Sequence, residues 1–142
     1  MNTVSPTPDA GALSAGPTES FNINATASSL SPARNYIDDK IDFNRLMVTH
    51  PRSTFTMKVT GDSMVGAHIP DGATLVVDRS IAPWNGAIVV AAVNGEFTVK
   101  RYERSAEGIR LLPANKKYQP LQITDRMDFQ VWGVVTRVII VI

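Results

Sequence analysis

No cysteine occurs in the chain, which excludes disulfides, thiolate nucleophiles and cysteine-ligated zinc. Histidine is nearly missing too. His50 and His68 each stand alone among residues that do not bind metals, so no metal site is expected, and nothing in the sequence calls for a cofactor. An excess of either charge is also lacking. Lys and Arg together number 14 and Asp and Glu 13, for a net charge of +1. Such a balance gives no overall field to draw in nucleic acid or an anionic membrane, and direct DNA binding is not expected. Basic residues gather locally at Lys100-Arg101, Arg104 and Lys116-Lys117, without interleaved aromatics, and read as solvated faces. A long hydrophobic run is missing as well: "VWGVVTRVIIVI" is broken by Arg137 and is too short to span a bilayer. With no basic segment followed by an apolar run at the N-terminus, no secretory signal is visible. These absences predict a soluble, cytoplasmic protein with no membrane partner.

What is present divides the chain in two. Residues 1–33 are rich in Ser, Thr, Ala, Pro and Gly, hold only Asp9 and Glu19 as charged side chains, and show no hydrophobic periodicity. A segment of that kind buries too little apolar surface to offset its ordering entropy, and reads as a flexible arm. From Arg34 the pattern tightens into a single domain, residues 34–142. "NYIDDKIDFNRLMVTHP" places Ile37, Ile41 and Met47-Val48 at roughly helical spacing before Pro51, which predicts one short helix. Strand patterns follow in "TFTMKVT", "ATLVVD", "AIVVAAV", "EFTVKRY", "GIRLLPA" and "FQVWGVVTRVII", with turn residues between them. Asn94-Gly95 separates two of these runs by two residues and predicts a type I′ hairpin. Six short strands, one helix and no βαβ rhythm predict a mainly β domain, a curled, barrel-like sheet.

The stretch "KVTGDSMVGAHIPDG" raises the question of chemistry, because Ser63 follows a strand and sits in a turn-rich segment. A serine becomes a nucleophile only when a base takes its proton. His68 is five residues away, in a Gly/Pro-rich loop with no carboxylate placed to orient it. Lysine is the other base, provided burial lowers its pKa by several units from about 10.4. Lys100 is the lysine set in apolar strand sequence, with Thr98 and Tyr102 on its face by alternation and Phe97 and Val99 on the other. A strand lysine ordinarily faces water, and spacing alone does not bring Lys100 to Ser63.

"GDSM" at 61–64 and "GEFTVKR" at 95–101, which set Ser63 and Lys100 37 residues apart, resemble the UmuD branch of the LexA/UmuD family of self-cleaving peptidases. "SPARNYIDDKIDFNRLMVTHP", "DGATLVVDRSI", "GAIVVAAVNGEFTVKR" and "VWGVVTRVI" resemble that family's segments in order, over about residues 31 to 138. GDSM alone is a weak signal; the ordered set is a strong one. The resemblance implies that Ser63 is the nucleophile and Lys100 the general base of a peptidase that cuts its own N-terminal arm. It implies that Met64 packs and that Asp62 is a turn residue, not a third catalytic group.

The same alignment puts the scissile bond at Ala27-Ser28, 36 residues before Ser63, where Ser28 replaces the family's usual glycine. Ala15-Gly16 matches the family's dipeptide but lies 12 residues further upstream and is followed by Pro17. The resemblance further implies a homodimer of the SOS DNA-damage response. Its partners would be the RecA filament on single-stranded DNA, which stimulates cleavage, and a UmuC-like Y-family DNA polymerase subunit. The cleaved product would be that translesion polymerase's accessory subunit in mutagenesis (DNA polymerase V). Two other readings stay open: a binding module that has lost cleavage, kept alive by Ser28, and a LexA-like repressor. The repressor would need a helix-turn-helix module, for which residues 1–33 are too short and too polar.

Overall fold

The computed structural model describes residues 3–6 and 40–142. Among them eight strands form one antiparallel sheet: β1 (Thr3–Pro6), β2 (Thr54–Thr60), β3 (Thr74–Asp78), β4 (Ile88–Val93), β5 (Glu96–Ser105), β6 (Gly108–Leu112), β7 (Leu121–Gln122) and β8 (Phe129–Ile139). One α-helix, α1 (Phe43–Met47), precedes β2, and 3-10 turns lie at Pro51–Ser53 and Val65–Ala67. The mainly β, curled sheet with one short helix is the architecture expected from the sequence.

The strand order β1-β2-β3-β8-β4-β5-β6-β7 makes β1 an edge, yet Thr3 also pairs with Thr98 of β5. Six strands thereby curl into a ring, and β6 and β7 continue from β5 as a flap. Curling of this degree needs extra twist, and β8 supplies it. Its register against β3 skips Thr136 and its register against β4 skips Trp132, two bulges in one long strand. Gly133 lies beside the second bulge. A Cβ there would meet Val77 Cγ1 at 2.7 Å and the Asp78 carbonyl oxygen at 2.9 Å, so only glycine lets β8 approach β3 this closely.

Alternation along the strands sorts apolar side chains onto two sides. Val4, Met57, Val59, Leu75, Val77, Val90 and Val99 meet inside the ring with Met64 and Ile69 from the loop after β2. Val89, Ala91, Val134, Tyr102 and Leu111 form a second cluster on the other side of β4 and β5. With both faces of β5 covered, its central residues Thr98, Val99 and Lys100 are all buried. The hairpin between β4 and β5 has the expected geometry: Val93 pairs with Glu96, and Asn94 (φ 50°) and Gly95 (φ 85°) are both left-handed.

Three elements differ from the sequence reading. The helix is five residues long, begun by Asp42, whose carboxylate accepts from the N–H groups of Asn44 and Arg45. Ile41 lies before that cap, outside the helix, and Ile37 is outside the described residues. The two-residue strand β7 carries too little pattern to be seen in sequence. β1 was not expected at all, since it falls in the first 33 residues. Val4, buried in the ring interior, anchors it, and its pairing partner β2 lies some fifty residues along the chain. The remainder of that arm, and the boundary at residue 33, lie outside the described residues.

Candidate active site

Ser63 lies just beyond the end of β2, in a turn entered through Gly61 (φ 98°). Met64 follows and is fully buried in the ring interior, so it anchors the turn from below. From the other side the segment after β6 grips the same turn. The Ala114 N–H donates to the Ser63 carbonyl at 2.7 Å, the Gly66 N–H donates to the Ala114 carbonyl at 2.8 Å, and Asn115 Nδ2 donates to the Asp62 carbonyl at 2.9 Å. Side chains complete the clamp: the Tyr118 hydroxyl donates to Asp62 Oδ1, and Lys117 Nζ lies 3.0 Å from Asp62 Oδ2. These hydrogen bonds from Tyr118 and then Lys117 hold the Asp62 carboxyl below the usual carboxylate range. None of this strut was visible in the sequence, because its residues stand more than fifty positions from the turn they hold.

Lys100 comes to Ser63 from β5. Its Nζ lies 2.9 Å from Ser63 Oγ, 2.8 Å from Thr98 Oγ1 and 3.0 Å from the Val99 carbonyl oxygen. Ser63 is 0% and Lys100 6% exposed, so the expectation that Lys100 belongs to a solvated basic face is overturned. Alternation gave Lys100 and Thr98 one face correctly; it could not say that β6, β7 and the Tyr118 segment cover that face. Burial pulls the Lys100 amine down from 10.5 to about 8, since the charged form loses its water. About a tenth of it is then neutral at pH 7. A hydroxyl and a partly neutral amine in hydrogen-bond contact can pass a proton between them, which is what activation of a serine requires. Of the other basic residues, Arg104, Lys116 and Lys117 are exposed, and Arg101 is half-buried with its guanidinium on the Gly86 carbonyl.

A cavity of about 170 Å³ opens beside this pair, lined by Thr98, Lys100, Leu111, Tyr118, Gln119 and Leu121. Through Thr98 and Leu121 it adjoins a second of about 350 Å³ along the start of β5, bounded by Val93, Asn94, Glu96 and Met127. The two form an apolar-walled groove that ends at Lys100, whose amine touches the Ser63 hydroxyl. Ala27, Ser28, Ala15 and Gly16 lie outside the described residues.

Neither histidine takes part. His68 is exposed and left-handed (φ 64°), closing the 3-10 turn after Met64. His50 Nδ1 lies 2.5 Å from Asp78 Oδ2, and Ser53 is close by, a set with the composition of a catalytic triad. Its geometry is different. Ser53 Oγ donates to Asp78 Oδ1 at 3.0 Å, and the Ser80 N–H and hydroxyl donate to the same oxygen. The serine is thus spent on the carboxylate, and the group is a polar staple between β3 and the segment before β2. Among the described residues no group of three His, Asp or Glu converges to hold a metal, and no helix is long and apolar enough to cross a membrane.

Known proteins resemble the chain over most of its length. Residues 20–136 match the family described as Peptidase S24-like. The chain is 40% identical over 111 residues to protein MucA of Salmonella typhimurium, covering 78% of this chain and 75% of that protein. It is 39% identical over 106 residues to protein SamA of the same species, covering 75% and 73%. A LexA repressor of Xanthomonas campestris is 46% identical over 83 residues, a stretch that is 58% of this chain and 41% of the repressor.

Proposed function

The chain belongs to the peptidase S24-like family, and from that membership we propose that it is a UmuD-type serine peptidase that cuts its own N-terminal arm. One observation carries the reading: a buried lysine, drawn down to about 8, in hydrogen-bond contact with the hydroxyl of the GDSM serine. In this scheme the neutral Lys100 amine takes the proton from Ser63 Oγ as the oxygen attacks the scissile carbonyl. The backbone N–H of Ser63 donates to the oxyanion, and the Lys100 ammonium then delivers its proton to the leaving amine. Thr98 and the Val99 carbonyl orient Nζ between these steps. The clamp on Asp62 holds the turn so that the attacking oxygen keeps its place, which is where positioning contributes to rate.

The substrate bond is Ala27-Ser28, with Ala15-Gly16 as the alternative. A chain that carries both protease and substrate stays intact while the productive conformer is rare. A RecA filament on single-stranded DNA accelerates cleavage by favouring that conformer, without adding a catalytic group. The protein then acts as a homodimer in the SOS response to DNA damage, its cut form serving as accessory subunit of a UmuC-like Y-family polymerase in translesion synthesis. Ser28 in place of glycine favours one second reading, a binding module for the same polymerase that no longer cuts.

The test is incubation of the purified chain with RecA filaments beside Ser63→Ala and Lys100→Ala, read by intact mass. The expected product begins at Ser28 and is missing from both variants. A product beginning at Gly16 moves the bond, and a wild-type chain that stays whole leaves the binding module.

A further inference from the structure

Asp62 stands next to Ser63 in the chain, and consecutive Cα atoms are about 3.8 Å apart. Lys100 Nζ lies 2.9 Å from the Ser63 hydroxyl, so a carboxylate sits one residue from the nucleophile that the base touches. Two other described carboxylates lie near the site. Asp71 accepts from the Gly61 N–H at 2.7 Å, at the entrance of the turn. Glu96 shares the β5 face of Lys100 but is four residues away, roughly 13 Å along a strand. Neither adjoins the nucleophile as Asp62 does.

We propose that Tyr118 is a positioning residue for the dyad: its hydroxyl keeps the Asp62 carboxylate turned from Lys100, and an Asp62 released from it becomes an inhibitory counter-ion of the base. The effect on rate rests on the self-cleavage reading above, while the charge relation among the three side chains does not.

Tyr118 borders both groups. Its hydroxyl donates to Asp62 Oδ1, and it lines the cavity of about 170 Å³ that Lys100 also lines. The bond is the largest influence lowering the Asp62 carboxyl, and it raises the Tyr118 hydroxyl above its ordinary range. The hydroxyl therefore stays protonated, and donating, wherever the lysine titrates. No charge acts on Lys100 to offset its burial. Val89 is its neighbour on β4, and Leu111 and Leu121 face the cavity from β6 and β7. The titratable groups around it are Tyr102 on its own strand, Tyr118, and Asp62 with Lys117 beyond it. Without the Tyr118 hydroxyl, the side chain left on the carboxylate among the described residues is Lys117. That lysine is 69% exposed, and an ion pair so open to water holds weakly. The attraction of a carboxylate for a buried ammonium is screened far less. The backbone of the turn keeps its place, since Asn115 holds the Asp62 carbonyl and Ala114 the Ser63 carbonyl. Loss of one hydroxyl thus redirects a charge without moving the nucleophile.

The experiment titrates Lys100 in the full chain carrying Ser63→Ala, with lysine carbon-13 labelled at Cε and the Lys100 resonance assigned by its loss in Lys100→Ala. Nuclear magnetic resonance from about pH 6 to about pH 10.5 gives the midpoint. Against this parent, Tyr118→Phe should raise the midpoint by about one pH unit, and adding Asp62→Asn should return it to within about 0.3. An unmoved midpoint overturns the proposal. So does a raised one that Asp62→Asn fails to restore, since that would come from water entering the cavity. With Ser63 present, Tyr118→Phe should cleave about tenfold more slowly than the wild type at pH 7, the gap closing towards pH 10. Equal slowing at every pH would mean a displaced nucleophile, and also overturns it. A wild-type chain that never shortens sinks the self-cleavage reading instead and leaves the titration standing.

Discussion

Following cleavage of the purified wild-type chain, without any partner protein, from about pH 6.5 to about pH 10 tests Lys100 as the base. Only the neutral amine accepts a proton, and burial places its pKa at about 8. The neutral fraction is then about 0.1 at pH 7, about 0.5 at pH 8 and about 0.9 at pH 9. The first-order rate constant should therefore rise about fivefold from pH 7 to 8, less than twofold from 8 to 9, and level off above that. An unburied lysine, near 10.5, would instead give close to tenfold per unit up to about pH 9 and about eightfold from 9 to 10. Gel densitometry or intact mass at each pH supplies the rate constants, with Lys100→Ala as the background. The same displacement acts on folding. The native amine has a lower pKa than the unfolded one, so between about pH 8 and 10.5 the unfolded chain binds more protons and stability rises with pH. Below pH 8 the buried ammonium costs about 3 kcal/mol, the equivalent of a pKa drawn from 10.5 down to about 8. Urea midpoints of the Ser63→Ala chain should accordingly increase from pH 7.5 to 9.5. A flat rate profile, or one that still climbs severalfold between pH 9 and 10, refutes a desolvated lysine as the base.

Two further predictions concern the frame around the site. Burial raises the pKa of Asp78, but the hydrogen bonds from Ser80, His50 and Ser53 outweigh it and bring the carboxyl from 3.8 down to about 2. A depressed carboxylate stabilises above the unfolded value and loses that effect as pH falls through the folded one. Asp78→Asn should thus cost about 2 kcal/mol at pH 7 and about half that at pH 3, by urea unfolding; an equal loss at both would exclude the charge as its source. Gly66→Ala would put a Cβ 2.6 Å from the Ala114 carbonyl oxygen, on the strut that holds the Ser63 carbonyl. The strut must move, so the variant should lose roughly 1–3 kcal/mol in thermal unfolding and cleave several-fold more slowly. An unchanged rate constant in a destabilised variant would separate the strut from catalysis.

The elements legible in the sequence are those whose cause is local. Asn94-Gly95 supplies two left-handed residues, and β4 and β5 pair in the register that a two-residue turn imposes. β2 coincides with "TFTMKVT", and β8 ends one residue short of "FQVWGVVTRVII". β1 is different. Thr-Val-Ser-Pro has no pattern of its own, and becomes a strand only because the edge of β2 and the interior around Val59 accept it. The burial of Lys100 is also nonlocal. By period alone a lysine beside Thr98 could face water, and what removes the water is Leu111, Tyr118 and Leu121, drawn from elements that come after it. Resemblance to a family named Ser63 and Lys100; it did not reveal the strut of Ala114, Asn115 and Tyr118 under the serine.

That strut explains why the acid in GDSM sits next to the nucleophile without acting as a counter-ion for the lysine. A carboxylate facing Lys100 would favour the ammonium and push its pKa back up, which would undo the effect of burial. Asp62 instead has both carboxylate oxygens engaged, one by Tyr118 and the other by Lys117. Desolvation alone accounts for the displacement of Lys100, with no opposing charge. Tyr118 therefore serves two ends with one side chain: its hydroxyl turns the acid away from the base, and its body walls the cavity that keeps the base dry. A turn that closes on the serine and an amine that stays partly neutral depend on the same contacts.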